Sequence, residues 1–327
     1  MLISLIVPFF NLEAYVRETL AGLVDARRAL GSQASEVEVI CVDDGSTDGT
    51  GRILDEVSGT AGFRVLHKPN GGEGSARNAG IGAANGGYLM FLDGDDVLLT
   101  NALTTAVRLA GEFPQADVIG MRFAAFADGE SIPVPVDSEK ARSIDATASL
   151  PTELVRGLSV FPTLFRRTVV SGLRFSDLSL GADREYVLAV LSRARQVVLS
   201  DAVVEGYRVR EGSMARARWT VRKIRSLNDH AAHGLASLAA SGKRIEPAGV
   251  RAVAGHVVSE VPARLARLGS EEGVYELWRH WVTSVADLPV TILPASVRLV
   301  RRMILTVGWS RAFSIAVARI CRAVNMV

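Results

Sequence analysis

Between Ile3 and Leu92 the apolar residues switch between short continuous runs and stretches where they recur every three or four positions. Ile3–Val7 is an apolar run stopped by Pro8, which predicts a buried strand. Leu12, Tyr15, Val16, Thr19, Leu20, Leu23 and Val24 follow at helical spacing, with Asn11 placed as an N-cap. Val37–Val42 predicts a second strand, left through the turn Asp43-Asp44-Gly45-Ser46. A helix with Ile53, Leu54 and Val57 on one face comes next, then a strand over Phe63–His67. A glycine-rich loop, Pro69–Gly74, leads to a small-residue helix from a Ser75 cap to Ala84, and Tyr88–Leu92 is a fourth strand. Strands separated by helices in this way imply right-handed crossovers and a mostly parallel central sheet flanked by helices.

Farther along the rhythm weakens. Ala102–Phe113 predicts a helix and Val118–Phe126 a strand, while residues 127–150 are polar and turn-rich and read as loop. From about Ser200 the pattern is mainly helical and Arg-rich, without clear strand alternation. The expected division is an α/β domain over residues 1–212 and a helical, Arg-rich region over residues 213–327.

Composition narrows the class. With 327 residues, 48% hydrophobic and 22% charged, the chain can bury a large core and is not a disordered polymer. Its two cysteines, Cys41 and Cys321, provide neither a disulfide framework nor metal-ligand spacing, which points to a reducing compartment. The longest uncharged run, Asn78–Leu92, is too short and too glycine-rich to span a bilayer. The apolar start, MLISLIVPFFN, lacks a basic n-region and a cleavage site and is not expected to be a signal peptide. The expected location is cytoplasmic, soluble or peripheral on the inner face of the cell membrane.

Charge is unevenly placed. Residues 1–200 hold 18 basic and 25 acidic side chains, whereas residues 201–327 hold 19 and 10. From Leu288 onward there are six arginines and no acid, interleaved with Val297, Val300, Ile304 and Val307 and later with Phe313, Ile315 and Ile320. That mixture suits an interfacial helix on an anionic membrane surface, or a helix packed on the protein with its arginines reaching solvent. No aromatic–basic interleaving or recognition motif points to nucleic acid.

Ligands of open α/β sheets bind beyond the carboxyl ends of the strands. Pro8–Asn11, Asp43-Asp44 and Asp93-Gly94-Asp95-Asp96 fall at three such ends and are expected side by side at one edge. Asp93 and Asp95 are two apart, so an extended backbone would project both from one face, where Mg²⁺ or Mn²⁺ bridging a diphosphate would neutralise them. The same acids could instead belong to a turn that caps the helix starting near Asn101. A carboxylate at the end of strand two can accept the imide N–H of uracil, or simply cap the next helix. Asn70-Gly71-Gly72-Glu73-Gly74-Ser75-Ala76-Arg77 lets backbone approach an anion closely, yet it matches neither the Walker nor the dinucleotide pattern.

Taken in order, SLIVPFFNLEAYVRETL, VICVDDGSTDGT, KPNGGEGSARNAGI and GGYLMFLDGDDVL resemble the family 2 glycosyltransferases of the GT-A (nucleotide-diphospho-sugar transferase) fold. RFSDLSLGADREYVL and YRVREGS resemble acceptor-side segments of bacterial members that build cell-surface polysaccharide. The resemblance spans residues 1 to about 215. It implies that Pro8 and Phe9 line the nucleotide base, that Glu13 lies near the ribose, and that Asp44, with Asp43 beside it, holds uracil. Asn11 and Ser46 join these nucleotide-sugar-binding positions, and Arg77 supports the base side. Asp93 and Asp95 would be the metal–diphosphate carboxylates, and Asp183 the catalytic base. The implied reaction is an inverting transfer from a UDP-sugar, with Mn²⁺ or Mg²⁺, to a hydroxyl of a glycan or lipid-linked acceptor.

The chain departs from the family at two places. Ala182 stands where members carry the glutamate before the catalytic aspartate, with Glu185 the nearest substitute. Phe161-Pro162-Thr163 stands where members often have tryptophan and a polar residue, which leaves acceptor identity open. The rival reading is a catalytically weakened nucleotide-sugar binder or scaffold on the same fold. A nucleotidyltransferase would need triphosphate-binding basic residues early, and none occurs after strand one before Arg17.

Overall fold

A computed structural model describes residues 3–176, 181–210, 220–246 and 248–249. The chain divides into two compact units, one of residues Met1–Thr147, Leu158–Asp177 and Arg193–Ser213, the other of Ala148–Gly157, Leu178–Ser192 and Met214–Val327.

The first unit is a mixed α/β layer structure. Its strands are β1 (Ile3–Phe9), β2 (Val37–Asp43), β3 (Arg64–His67), β4 (Tyr88–Phe91), β5 (Val97–Leu98), β6 (Val118–Ala127) and β7 (Ala141–Asp145). After β8 (Ser149–Leu150), which belongs to the second unit, come β9 (Thr163–Arg166) and β10 (Gln196–Val209). The helices are α1 (Val16–Ala29), α2 (Thr50–Ala61), α3 (Glu73–Ala83) and α4 (Ala102–Glu112). The strands form one sheet in the order β3-β2-β1-β4-β9-β6-β10-β5, with β7 paired to β10. β3, β2, β1 and β4 run parallel, as the alternation predicts, but β9 is antiparallel to both β4 and β6, and β5 and β7 are antiparallel to β10.

All seven residues of β1 are buried, as a strand covered on both faces must be. Ile3, Leu5, Val7 and Phe9 join the core with Leu20, Leu23, Leu103 and Leu109 of α1 and α4. On the other face, a Cβ on Gly80 would meet Ile6 Cγ2 at 2.3 Å, so α3 packs against β1 through a residue with no side chain. That contact explains the small-residue composition of α3.

Several expectations need correction. Pro8 does not stop β1; β1 pairs with β4 only as far as Ile6, so Pro8 lies where the strand bonds β2 alone and its missing N–H costs little. Asn11 does not cap α1, which starts at Val16 after a turn closed by Leu12. Ser75 does not cap α3, which starts two residues earlier at Glu73. Residues 127–150 include β7 and β8. β10 is a 14-residue strand where the chain was expected to turn helical. Its pairing with β6 shifts register between Leu199 and Glu205, and such an irregularity breaks the period-two pattern by which a strand is recognised.

The second unit holds α5 (Thr152–Gly157), α6 (Ala182–Arg193), α7 (Val221–Ala240), β8 and β11 (Arg244–Ile245). Thr220 caps α7 by accepting from the Lys223 amide at 3.3 Å. α6 and α7 pack closely: a Cβ on Gly234 would meet Leu188 Cδ1 at 2.5 Å. Among the described residues no helix is long and apolar enough to cross a membrane. The basic segment from Leu288 and all four tryptophans lie outside the described residues.

Candidate functional site

The register Phe9↔Asp43 places the ends of β1 and β2 level, and β4 ends on the other side of β1. Pro8, Phe9, Asn11, Glu13, Asp43, Asp44, Ser46, Arg77, Asp93 and Asp95 all belong to the first unit. The three predicted clusters therefore do gather at one edge of the sheet.

The first corner is a pair of interlocked loops. Asn11 has a left-handed backbone, with φ of 51°. Its amide donates to Ser46 Oγ at 3.1 Å, and its Oδ1 accepts from the Thr47 amide at 2.8 Å. Glu13 accepts from the Gly49 amide at 2.9 Å, while the Glu13 amide donates to Asp48 at 3.1 Å. Asn11, Glu13 and Ser46 thus fasten the β1–α1 loop to the β2–α2 loop. Phe9 is buried, whereas Phe10 is 45% exposed beside it.

Both aspartates that end β2 already accept protein hydrogen bonds. Asp43 accepts from the Ser46 amide at 3.0 Å, and its Oδ2 lies 2.9 Å from His67 Nδ1. His67 Nε2 reaches Asp55 at 2.9 Å. Burial pushes the Asp43 carboxyl up, but the bonds from Ser46 and His67 outweigh it and hold it below its ordinary value. Asp44 accepts from Lys68 Nζ and from the amides of Gly71 and Gly72, the last at 2.8 Å. What Asp44 does in this structure is fix the glycine loop that leads to α3.

His67 supplies a pH-dependent contribution. Its hydrogen bond to Asp43, then that to Asp55, raises its pKa. A raised histidine pKa stabilises fully below the unfolded value of about 6.5, and that stabilisation is lost as pH climbs through the folded value. The melting temperature of the wild type is expected to exceed that of His67→Gln most at about pH 6, the gap narrowing by about pH 9. Thermal melts across that range check it; a constant gap would contradict it.

Arg77 is 1% exposed and bonds Glu73 and, at 2.8 Å, Asp93 Oδ1. Its guanidinium is flanked by Phe161 and Phe175, 5.0 and 5.1 Å from the ring centroids. Cation–π attraction of this kind partly replaces lost hydration. Asp93 is thereby held by a buried cation.

Asp93, Asp95 and Asp96 form a turn, closed by the Asp96 amide on Asp93 O at 3.1 Å. The helix that follows has Asn101 as its N-cap and no side-chain cap hydrogen bond. Of the two arrangements expected for the acids the backbone takes the turn, not the extended segment, and the turn brings the carboxylates together. One oxygen of each lies within 4.8 Å of the others. The all-carboxylate set is that of a hard divalent cation. Asp96 Oδ2 is buried with no hydrogen-bond partner among the described residues, which leaves an acceptor at the cluster. Gly94 is obligatory: a Cβ there would stand 2.4 Å from the Pro8 carbonyl.

Behind the turn lie residues the sequence reading did not assign to this site. The Arg208 amide donates to Asp96 at 2.6 Å, its Nε to Asp95 O at 2.8 Å, and its guanidinium to Glu18 and Asp128. Arg210 Nε donates to Asp95 Oδ2 at 2.5 Å. Glu205 is fully buried, with neither carboxyl oxygen partnered among the described residues. Burial, and second the Asp96 charge, push its pKa well above the carboxylate range. Burial likewise lifts Asp96, to about 8. The Tyr-Arg-x-Arg pattern of residues 207–210 was visible as a motif, but its reach across more than a hundred residues to the acid turn was not.

The profile of glycosyl transferase family 2 matches residues 4–172, more than half of the chain. The chain belongs to that family. It is 31% identical over 224 residues, 65% of its length, to the uncharacterized glycosyltransferase EpsJ of Bacillus subtilis. The match covers 62% of EpsJ, and 36% and 49% of the next two curated relatives, so the chain spans less than two-thirds of the length of each. Among solved structures, residues 1–349 of TarS of Staphylococcus aureus in complex with UDP-GlcNAc superpose with a TM-score of 0.70 at 20% identity, covering 99% of this chain and 92% of that one. A mannosyltransferase of Pyrobaculum calidifontis in complex with GDP-Man and Mn²⁺ gives 0.52 at 15%, covering 98% and 85%. These likenesses establish the expected GT-A fold, its sheet mixed rather than mostly parallel.

In the second unit, Asp183 stands in the first turn of α6. Glu185 is engaged across α7 by His230, which is buried, and by His233 at 3.1 Å. The two histidines differ in exposure: His230 is buried, whereas His233 is open to solvent, at 62%.

Proposed function

We propose that this family 2 member transfers a glycosyl group from a UDP-sugar to a hydroxyl of a glycan or lipid-linked acceptor, with inversion, in the assembly of a bacterial cell-surface polymer. The observation that carries the reading is the acid turn Asp93-Gly94-Asp95-Asp96 at the strand ends, flanked by Arg77, Arg208 and Arg210. Acids able to hold a divalent cation, next to a cation open to solvent, Arg210, that can meet a diphosphate, are what a nucleotide-diphosphate donor requires. Support also comes from TarS, a poly(ribitol-phosphate) beta-N-acetylglucosaminyltransferase whose structure holds UDP-GlcNAc.

Asp93 and Asp95 would hold Mn²⁺ or Mg²⁺. When bound, such an ion stabilises the charge that develops on a diphosphate leaving group, so no general acid is needed there. Phe9 and the loop around Asp43, Asp44 and Ser46 would bound the base pocket, and Asn11 and Glu13 would keep that pocket in shape. Base recognition by Asp44 would require it to share or exchange the bonds it now makes to the glycine loop. Asp183, as a carboxylate, would take the proton of the attacking hydroxyl. The acid-free C-terminal segment supports a peripheral position on the inner, anionic face of a membrane.

Release of UDP from a panel of UDP-sugars with Mn²⁺, with and without glycan acceptors, tests the reading. Acceptor-dependent release is the expected result. Ala182 favours one alternative, a nucleotide-sugar binder, and tight UDP binding with no release from any donor would establish it instead.

A further inference from the structure

The two arginines of β10 and its exit differ in how they are held. Arg208 is 7% exposed and fixed through its amide, its Nε and both terminal nitrogens. Arg210 has a single hydrogen-bond acceptor among the described residues, Asp95 Oδ2 at 2.5 Å, with its guanidinium over the Tyr15 ring at 5.2 Å. Its side chain is 23% exposed and that of Asp95 19%, so the pair meets solvent. Arg77, the partner of Asp93, is by contrast enclosed between two rings.

We propose that Arg210 is an exchangeable counter-ion of the donor site: it neutralises Asp95 when no donor is bound, yields that carboxylate to the incoming divalent cation, and transfers its guanidinium to the diphosphate. The proposal rests on reading the acid turn as the metal site of the donor. Its logic is electrostatic. Asp93 and Asp95 crowd like charges at the turn, with an oxygen of each within 4.8 Å of the other, which needs a positive partner in every state. A cation arriving at Asp95 removes the acceptor of Arg210 and repels its charge. The diphosphate that arrives with the metal supplies a compensating anion, and a planar guanidinium is suited to bidentate contact with phosphate oxygens. Arg208, with four hydrogen-bonded groups, stays in place and preserves the frame around the turn.

It follows that Arg210 opposes metal binding alone and favours metal binding together with nucleotide, so the two ligands are coupled reciprocally. The test is Mn²⁺ binding, read from the electron paramagnetic resonance of free Mn²⁺, for the wild type, Arg210→Gln and Arg210→Lys, without and with UDP. Circular dichroism melts confirm that each variant is folded. Removing the competitor in R210Q is expected to tighten Mn²⁺ binding without UDP by roughly three- to tenfold, and to weaken UDP binding in saturating Mn²⁺ by a similar factor. R210K, which keeps the charge but loses the fork, is expected to bind Mn²⁺ alone as the wild type does while still losing UDP affinity. Unchanged or weaker Mn²⁺ binding in folded R210Q, with metal-dependent UDP binding intact in the wild type, would overturn the exchange alone. Absence of Mn²⁺ binding in the wild type, with UDP present, would overturn the metal reading beneath it.

Discussion

Asp183→Asn is expected to lower acceptor-dependent turnover by about 10²–10⁴-fold while UDP affinity stays within experimental error, the signature of a lost general base. The substitution is isosteric, and the residue lies in the first turn of α6, so the fold should survive it. An aspartate whose task is only to complement the helix dipole would behave differently. Its loss would cost about 0.3–1 kcal/mol of stability and leave turnover alone. Steady-state kinetics paired with a denaturation curve therefore separate the two roles. Glu185 is a poor stand-in as base, because His230 and His233 both hold its carboxylate.

The second large effect concerns stability. Arg77→Ala is expected to cost about 2–4 kcal/mol, measured as a shift in denaturation midpoint at unchanged slope. The variant would remove a buried side chain wedged between Phe161 and Phe175 and leave Asp93 and Glu73 without their cation. Lysine at this position is expected to recover only part of the loss, because one ammonium cannot stack on two rings and bond two carboxylates in the same plane. A loss below about 0.5 kcal/mol for the alanine variant would show that Arg77 is a surface contact, contrary to its 1% exposure.

The parts of this protein that could be read from its sequence are those governed by local pattern. β1, β2 and β4 announce themselves because buried parallel strands are continuous apolar runs, and their acidic exits follow from where those runs end. The antiparallel half was harder. β10 carries a register shift that scrambles its alternation, and β7 and β8 are short segments within a polar stretch. Caps were misassigned for a different reason. Asn11 has the right chemistry to cap a helix, but here that chemistry joins its loop to Ser46, 35 residues away. The acid turn was found as a motif, while its cations Arg208 and Arg210 stand over a hundred residues away, and nothing in spacing alone connects them. Glu205 is a similar case: an acid inside a strand becomes notable only once the fold shows it fully buried beside Asp96.

The strand-end cluster is proposed as a metal-dependent site for a uridine diphosphate donor. Calorimetric titration of UDP into the intact protein, with and without Mn²⁺, and into Asp95→Ala, tests it most directly. Binding is expected to strengthen at least about tenfold with Mn²⁺ in the wild type and to lose that dependence in the variant. UDP binding equally tight with and without Mn²⁺, and unaltered by the loss of Asp95, would contradict it.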